Sequence, residues 1–230
     1  MTDWRTSVIM PVFCGEKFIE EAIGSVLAQP SDWIEEIIVV DDGSTDATAA
    51  IVKACRGPIR YVYQDNSGPQ HARNTGLALA KGNAVAFLDA DDIWTPDKLA
   101  LQLPLLEEAD VVLGQTKILD DPDSAPFILP SLCCALMRKS AFDRIGNFDT
   151  ELEYSDDLDW YLRAKEEELV FRVHKDTVLK HRRHENNLTK NKSKTEHYHL
   201  LMLLKSVKRR KGKGITEMPG FSDLTFLDRP

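Results

Sequence analysis

Residues 84–94 read AVAFLDADDIW, and the reading of this stretch decides the fold. Ala84 to Leu88 is an apolar run too short for a helix and of the right length for a fully buried strand. Asp89, Asp91 and Asp92 follow at once. Carboxylates packed this closely repel, and proton uptake or a bound cation relieves them. A hard divalent cation such as Mg²⁺ or Mn²⁺ takes oxygen ligands, commonly one or two carboxylates plus the phosphates of a substrate. Open α/β sheets bind ligands at the carboxyl ends of their strands. The stretch therefore predicts a buried strand ending in a metal-and-diphosphate site. A solvated acidic turn ahead of a helix opened by Thr95-Pro96 is the plainer alternative.

Outward from this centre, the first half alternates strand and helix. Ser7 to Phe13 reads as a buried strand, with Pro11 near its end. Phe18, Ile19, Ala22, Ile23, Val26 and Leu27 recur at helical spacing. Glu36 to Val40 is a second apolar run and leads into Asp41, Asp42 and Gly43. Gly43 permits a turn, and Ser44 or Thr45 is placed to cap a helix running to about Cys55. Ile59 to Tyr63 alternates as a short strand, Gln64 to Pro69 is a loop, and Ala72 to Ala80 is helical. Gly82 stands where a helix end accepts a left-handed residue. A helix from Thr95 to about Glu108 and a strand at Asp110 to Gly114 follow. Short connections between alternating elements predict a mostly parallel sheet with helices on both faces. Two strands end in acids, at Asp41 and Asp89, and a parallel arrangement sets those acids along one edge.

The second half is less regular. Asp120 to Pro130 reads as a surface loop, Cys133 to Arg138 as a strand, and Ser140 to about Ile145 as a short helix. A helix begins near Ser155 with DDLDWYLRAKEEE. Leu169–Val173 and Thr177–His181 read as two short strands, and Thr195 to Arg210 as a last helix.

The chain has 230 residues, a formal net charge of −8 and 43% hydrophobic residues, which suits one α/β domain and argues against a broad nucleic-acid surface. Cys14, Cys55, Cys133 and Cys134 show no metal-type spacing, so reduced thiols in a cytoplasmic setting are expected. The start of the chain lacks a signal-peptide pattern, and no apolar run is long enough to span a bilayer. The basic run Lys205 to Lys213 admits two readings: with residues 199–213 as an interfacial helix touching anionic lipid on the inner face of the membrane, or as a packed helix with a solvated basic end.

The pieces PVFCGEKFIEEAIGSVLAQ, IIVVDDGSTDAT, ARNTGLALAKG, AFLDADD, GNFDTELEYSDDLDWYLRA and HRRHENNLT, in this order, resemble glycosyltransferase family 2. The resemblance covers about residues 6–189. It implies the glycosyltransferase A-type fold, a single α/β domain around a mostly parallel sheet. It divides the chain into a catalytic domain over 1–211, with a nucleotide-sugar-binding half to about 115 and an acceptor half beyond it, and a tail over 212–230. The implied reaction is inverting transfer of a sugar from a nucleoside-diphosphate donor, with UDP as the expected nucleotide, to a hydroxyl acceptor in glycan or polysaccharide biosynthesis. A donor carrying GDP or dTDP is the alternative within the class. A nucleotide-sugar-binding protein without catalysis, or an unrelated phosphate-handling α/β enzyme, are the alternatives outside it.

Residue by residue, the resemblance makes Asp91 a ligand of Mn²⁺ or Mg²⁺, joined by Asp89, which otherwise binds ribose, and by His184 on a late loop. Asp41 would bind the base, Pro11 and Phe13 would line the nucleotide pocket, and Glu16 would lie near ribose. Arg73 would approach base or phosphate, or pair with Asp41 or Asp89. Arg182 and Arg183 suit the diphosphate. Asp157, with Arg163 six positions on, would be the general base, and a slip in register would pass that role to Asp156 or Asp159. Acids in a first helical turn also favour the helix dipole without any catalytic role. Asp92 is expected to support its neighbours or cap a helix, and Asp42 to serve turn chemistry with Ser44. Cys14 stands where the family commonly has Asn.

Overall fold

In chain order the elements are β1 (Thr6–Val12), α1 (Ile19–Leu27), β2 (Ile34–Asp41), α2 (Thr48–Ala54), β3 (Ile59–Tyr63), α3 (Pro69–Leu79), β4 (Ala84–Phe87), β5 (Ile93–Trp94), α4 (Lys98–Gln102), β6 (Val111–Ile118), β7 (Ala135–Arg138), α5 (Lys139–Ile145), α6 (Asp156–Glu166), β8 (Phe171–His181), α7 (Lys192–Lys213) and β9 (Phe226–Leu227). They come from a computed structural model that describes residues 3–121, 123–128, 130–184, 192–215, 217 and 226–227. Among these residues the strands form one mixed sheet in the order β3-β2-β1-β4-β7-β6-β8-β5, with β9 beside β8.

The continuous apolar runs of β1 and β4 are buried throughout, as strands covered on both faces require. β1 lies between β2 and β4 and runs parallel to both. Val12 pairs with Asp41, Pro11 with Val40 and Ile9 with Phe87. That register sets Asp41 and Asp89 on one edge of the sheet, on either side of Pro11 and Phe13. The direction then reverses, because β7 is antiparallel to both β4 and β6.

Several boundaries differ from the sequence reading, each for an identifiable reason. The helix expected over 95–108 stops at Gln102, because Pro104 cannot continue the hydrogen-bond ladder, and one 3₁₀ turn follows at Leu105–Glu107. Ile93–Trp94, given no element of its own in the sequence reading, is a short strand against β8. The two strands expected at 169–173 and 177–181 are one strand, β8. Its register against β6 jumps from Val173 to Thr177 opposite Gly114, so the polar residues His174–Asp176 interrupt the ladder and not the strand. Residues 132–134 turn as a 3₁₀ helix before β7. Gly82 is not a left-handed helix cap: it lies where a Cβ would come within 2.3 Å of the Arg5 carbonyl oxygen, so close packing on the backbone ahead of β1 requires it. Trp94 and Trp160 are core residues.

Candidate active site

At the end of β2 the chain turns at Gly43, whose φ of +88° is the left-handed conformation glycine supplies without steric cost. The Asp41 carboxylate is fully buried. Its Oδ1 accepts the Ser44 N–H at 2.7 Å and its Oδ2 accepts the Tyr61 hydroxyl at 2.6 Å. Burial, and then Asp41 itself, push the Tyr61 hydroxyl pKa up, so the phenol stays a donor. The turn contact expected of Asp42 therefore belongs to Asp41. Asp42 instead organises the next loop, accepting from Gln64 Nε2, Ser67 N–H and Gly68 N–H. The cap of α2 is neither Ser44 nor Thr45: Asp46 Oδ1 accepts the Thr48 N–H, and Ser44 Oγ accepts the Cys14 N–H at 2.8 Å. Cys14 has φ +51°, a left-handed position that Asn tolerates better than most residues, which accounts for the Asn common there in the family it resembles.

Pro11 is buried within β1, and Phe13, just beyond it, leaves 56% of its surface exposed at the same sheet edge as Asp41. Glu16 binds the α2 end of the turn, accepting the Ala47 N–H, while its own N–H donates to Asp46.

At the end of β4 the three acids separate by partner. Asp91 Oδ2 lies 2.7 Å from His184 Nε2, across 93 residues of sequence, and the His184 ring stacks on Phe18. Asp92 is buried and accepts from the Arg182 N–H at 2.9 Å and pairs with His181 Nδ1 at 3.0 Å. It supports the late segment and caps no helix. Arg182 extends over the Phe18 ring, donates to the Asp91 carbonyl and pairs with Glu21. Residues 185–189 of the late motif lie outside the described residues.

A carboxylate oxygen and an imidazole nitrogen 2.7 Å apart are close to the spacing that two neighbouring ligands of one cation adopt at bond lengths of about 2.1 Å. Asp91 and His184 therefore fit a divalent cation, while Asp89 is turned to Arg73. A second grouping, Asp89, Asp92 and Cys133, has ligand atoms within 4.8 Å of one another. It fits a hard cation less well: burial holds the Cys133 pKa well above its usual value, so the sulfur stays a thiol, and the Asp92 oxygens face His181 and Arg182.

Arg73, on α3, joins two parts of the site. Its guanidinium donates to Asp89 at 3.3 Å and to Asp156 at 2.8 Å. Burial opposes its charge, yet Asp156 and Asp89 more than offset that cost and hold its pKa above the usual value. Of the partners expected from sequence, Asp89 is found and Asp41 is not; Asp156 had no signal in the chain, since the pair spans 83 residues. Ser155 precedes α6 with φ +69°, and the helix opens directly on Asp156 and Asp157. Asp157 forms no ion pair among the described residues; its Oδ1 accepts the adjacent Leu158 N–H. Burial, and then the neighbouring Asp156, raise its carboxyl pKa from 3.8 to about 7. Asp159 is committed elsewhere, to Arg163 and Arg209, and Arg163 also donates to the carbonyls of Ile145 and Asn147. Of the three acids, Asp157 alone forms no ion pair among the described residues, and its proton affinity is raised.

Sequence reasoning missed Tyr61, whose alternating strand gives no hint of its role. It also missed Asn74, which exchanges two hydrogen bonds with the Phe148 backbone and so ties the ARN motif to the loop before α6.

The mixed α/β sheet, with acids at the ends of two parallel strands and a third acid on a facing helix, matches the glycosyltransferase A type of fold. The chain belongs to the family described as glycosyl transferase family 2, whose pattern matches residues 7–125. An uncharacterized glycosyltransferase of Rickettsia typhi, RT0329, is 31% identical over 209 residues, covering 80% of this chain and 65% of that one. Two solved structures share the fold: S. aureus TarS 1-349 in complex with UDP-GlcNAc, with a TM-score of 0.73, 23% identity and coverage of 87% of this chain and 66% of that one; and the mannosyltransferase PcManGT of Pyrobaculum calidifontis in complex with GDP-Man and Mn²⁺, with a TM-score of 0.68, 23% identity and coverage of 95% and 67%. Against eight curated relatives the chain spans between 17% and 65% of their length. No helix among the described residues is long and apolar enough to cross a membrane.

Proposed function

We propose that this protein is an inverting, metal-dependent glycosyltransferase that moves a sugar from a nucleoside-diphosphate donor, UDP-linked in the first instance, to a hydroxyl of a glycan or lipid-linked acceptor in polysaccharide biosynthesis. The observation that carries the proposal is the Arg73 guanidinium, which bridges Asp89 at the end of β4 and Asp156 at the start of α6. That bridge brings the acid cluster suited to a diphosphate beside the acid suited to proton abstraction.

Asp41 reads the base at the end of β2, and the exposed Phe13 ring with the Pro11 backbone lines the same pocket. Glu16 stands near ribose, Asp89 binds ribose or assists the metal, and Arg73 and Arg182 line the diphosphate. Asp91 and His184 are the residues that would hold a divalent cation, which when bound would supply charge stabilisation to the departing diphosphate. Asp157 takes the acceptor proton on the face opposite the leaving group, the requirement of a single inverting displacement. The half to about residue 115 binds the donor and the half beyond it the acceptor.

The GDP-Man complex of the archaeal neighbour favours one second reading, a GDP-sugar donor. A thermal-shift panel of UDP, GDP, dTDP and CDP, each with Mn²⁺, Mg²⁺ or EDTA, separates the two, since a ligand that binds only the native state raises its melting temperature. A metal-requiring shift with UDP supports the first reading, and one with GDP alone replaces it. No shift with any nucleotide removes the donor site. The anomeric configuration of the product then tests inversion. A peripheral contact with anionic lipid is proposed for the exposed Leu200, Leu204 and Val207 beside Lys208 and Lys211, in keeping with a cytoplasmic protein at the inner face. Failure to co-sediment with anionic vesicles would remove it.

A further inference from the structure

Residues 192–213 carry eight Lys or Arg and one Glu in a chain whose net charge is negative. Four of these cations pair with acids between Asp149 and Glu167. Lys205 pairs with Asp149 at 2.6 Å and with Glu151, Lys194 with Glu153, and Lys213 with Glu167. Arg209 reaches deepest: its guanidinium donates to Asp159 at 3.0 Å and to Glu166 at 2.9 Å, and the side chains of both acids are 1% exposed. Ser206 donates to the same Glu166 at 2.6 Å. Leu152, Leu162 and Met202 form a separate apolar cluster in which Met202 of α7 packs on α6 and its leading loop.

α6 needs this support because of how it begins. No side chain caps its first turn, Ser155 is held in a left-handed conformation, and three acids crowd the opening. Asp156 is held from one side by Arg73 of α3, and Asp159 from the other by Arg163 within the helix and Arg209 of α7. Asp157 sits between these two anchors. A carboxylate fixed to within a few tenths of an ångström transfers protons faster than one that samples several positions, and displacement of a reacting group by about 1 Å costs as much as a hundredfold.

We propose that Arg209 is a positioning residue for the proton-accepting step, holding the first turn of α6 so that Asp157 faces the acceptor hydroxyl. Its guanidinium is engaged by Asp159 and Glu166, and it lies beyond the span matched by the family pattern. The inference rests on the role given to Asp157 above.

The test compares three full-length variants. Arg209→Met removes the ion pairs at similar length. Arg209→Lys keeps the charge with a single donor group. Ser206→Ala loosens the same interface at Glu166 without touching the first turn. Hydrolysis of UDP-N-acetylglucosamine with Mn²⁺, water serving as acceptor, gives kcat and KM, and melting temperatures are read alongside. Arg209→Met is expected to lower kcat about ten- to a hundredfold with donor KM unchanged, and Arg209→Lys to recover part of that loss. Ser206→Ala is expected to keep wild-type kcat. Hydrogen exchange at the amides of 156–160 is expected to quicken in Arg209→Met. Wild-type kcat in a folded Arg209→Met protein overturns the proposal, as does an equal loss of kcat in Ser206→Ala. If the wild-type protein hydrolyses no donor, the failure belongs to the activity reading. The exchange measurement still decides the anchor, and unchanged exchange at 156–160 overturns it.

Discussion

The acids at the end of β2 and the acids that open α6 are held by opposite kinds of partner. Asp41 and Asp42 are buried, yet only neutral donors hold them: backbone N–H groups, a phenol and an amide. Arginines hold the α6 acids: Arg73 on Asp156, and Arg163 with Arg209 on Asp159. Asp157, between them, is left without an ion pair among the described residues. Neutral donors fix a carboxylate in direction and leave its charge available, which suits reading a base. A buried carboxylate without a cation gains proton affinity, which suits taking a proton. On the proposed function, the difference between recognition and chemistry lies in partners, not in residue type.

The largest expected effect comes from removing Asp157, the first-turn acid of α6 that forms no ion pair among the described residues. Asp157→Asn should cut sugar transfer by about a thousandfold, the scale of a lost general base, while the nucleotide-induced thermal shift survives. Wild-type turnover in that variant would end the distinction between the two clusters. Next is the metal pair. Asp91→Asn or His184→Ala should each lower donor hydrolysis about a hundredfold, and EDTA should do the same to the wild type, measured as nucleoside diphosphate released. Equal activity with and without EDTA would leave Asp91 and His184 as a structural pair.

The pH profile is third. Protonated Asp157 cannot accept a proton, so kcat/KM should fall about tenfold per unit as pH drops below about 7. The stability effect has a definite sign. The folded-state pKa lies above the ordinary 3.8, so the stability gained from a neutral Asp157 is fully present below 3.8 and is lost as pH rises through about 7. Asp157→Asn, neutral throughout, should therefore melt higher than wild type above neutral pH and match it in acid. The smallest effect sharpens the other side of the comparison. Tyr61→Phe removes one neutral donor from Asp41 and should raise donor KM about three- to tenfold with little change in kcat. A fall in kcat instead would mean that Asp41 does more than recognise.

By itself the sequence determined the parallel half of the sheet, because continuous apolar runs, short turns and helical spacing are local signals. It also determined that acids end β2 and β4, and that an acidic pair opens α6, with the motifs in an order that resembles one family. Only the tertiary structure decided which acid meets which partner. Arg73 reaches Asp156 across 83 residues, His184 reaches Asp91 across 93, and Tyr61 closes on Asp41 through the register of neighbouring strands. The break in α4 at Pro104 was legible but outweighed by periodicity, and the union of two expected strands into β8 depends on Gly114 giving room opposite a polar interruption. Side-chain pairing at long range carries no periodic trace in a chain. It is set by strand order and by the burial that makes an unpaired charge costly, and both exist only once the sheet has formed.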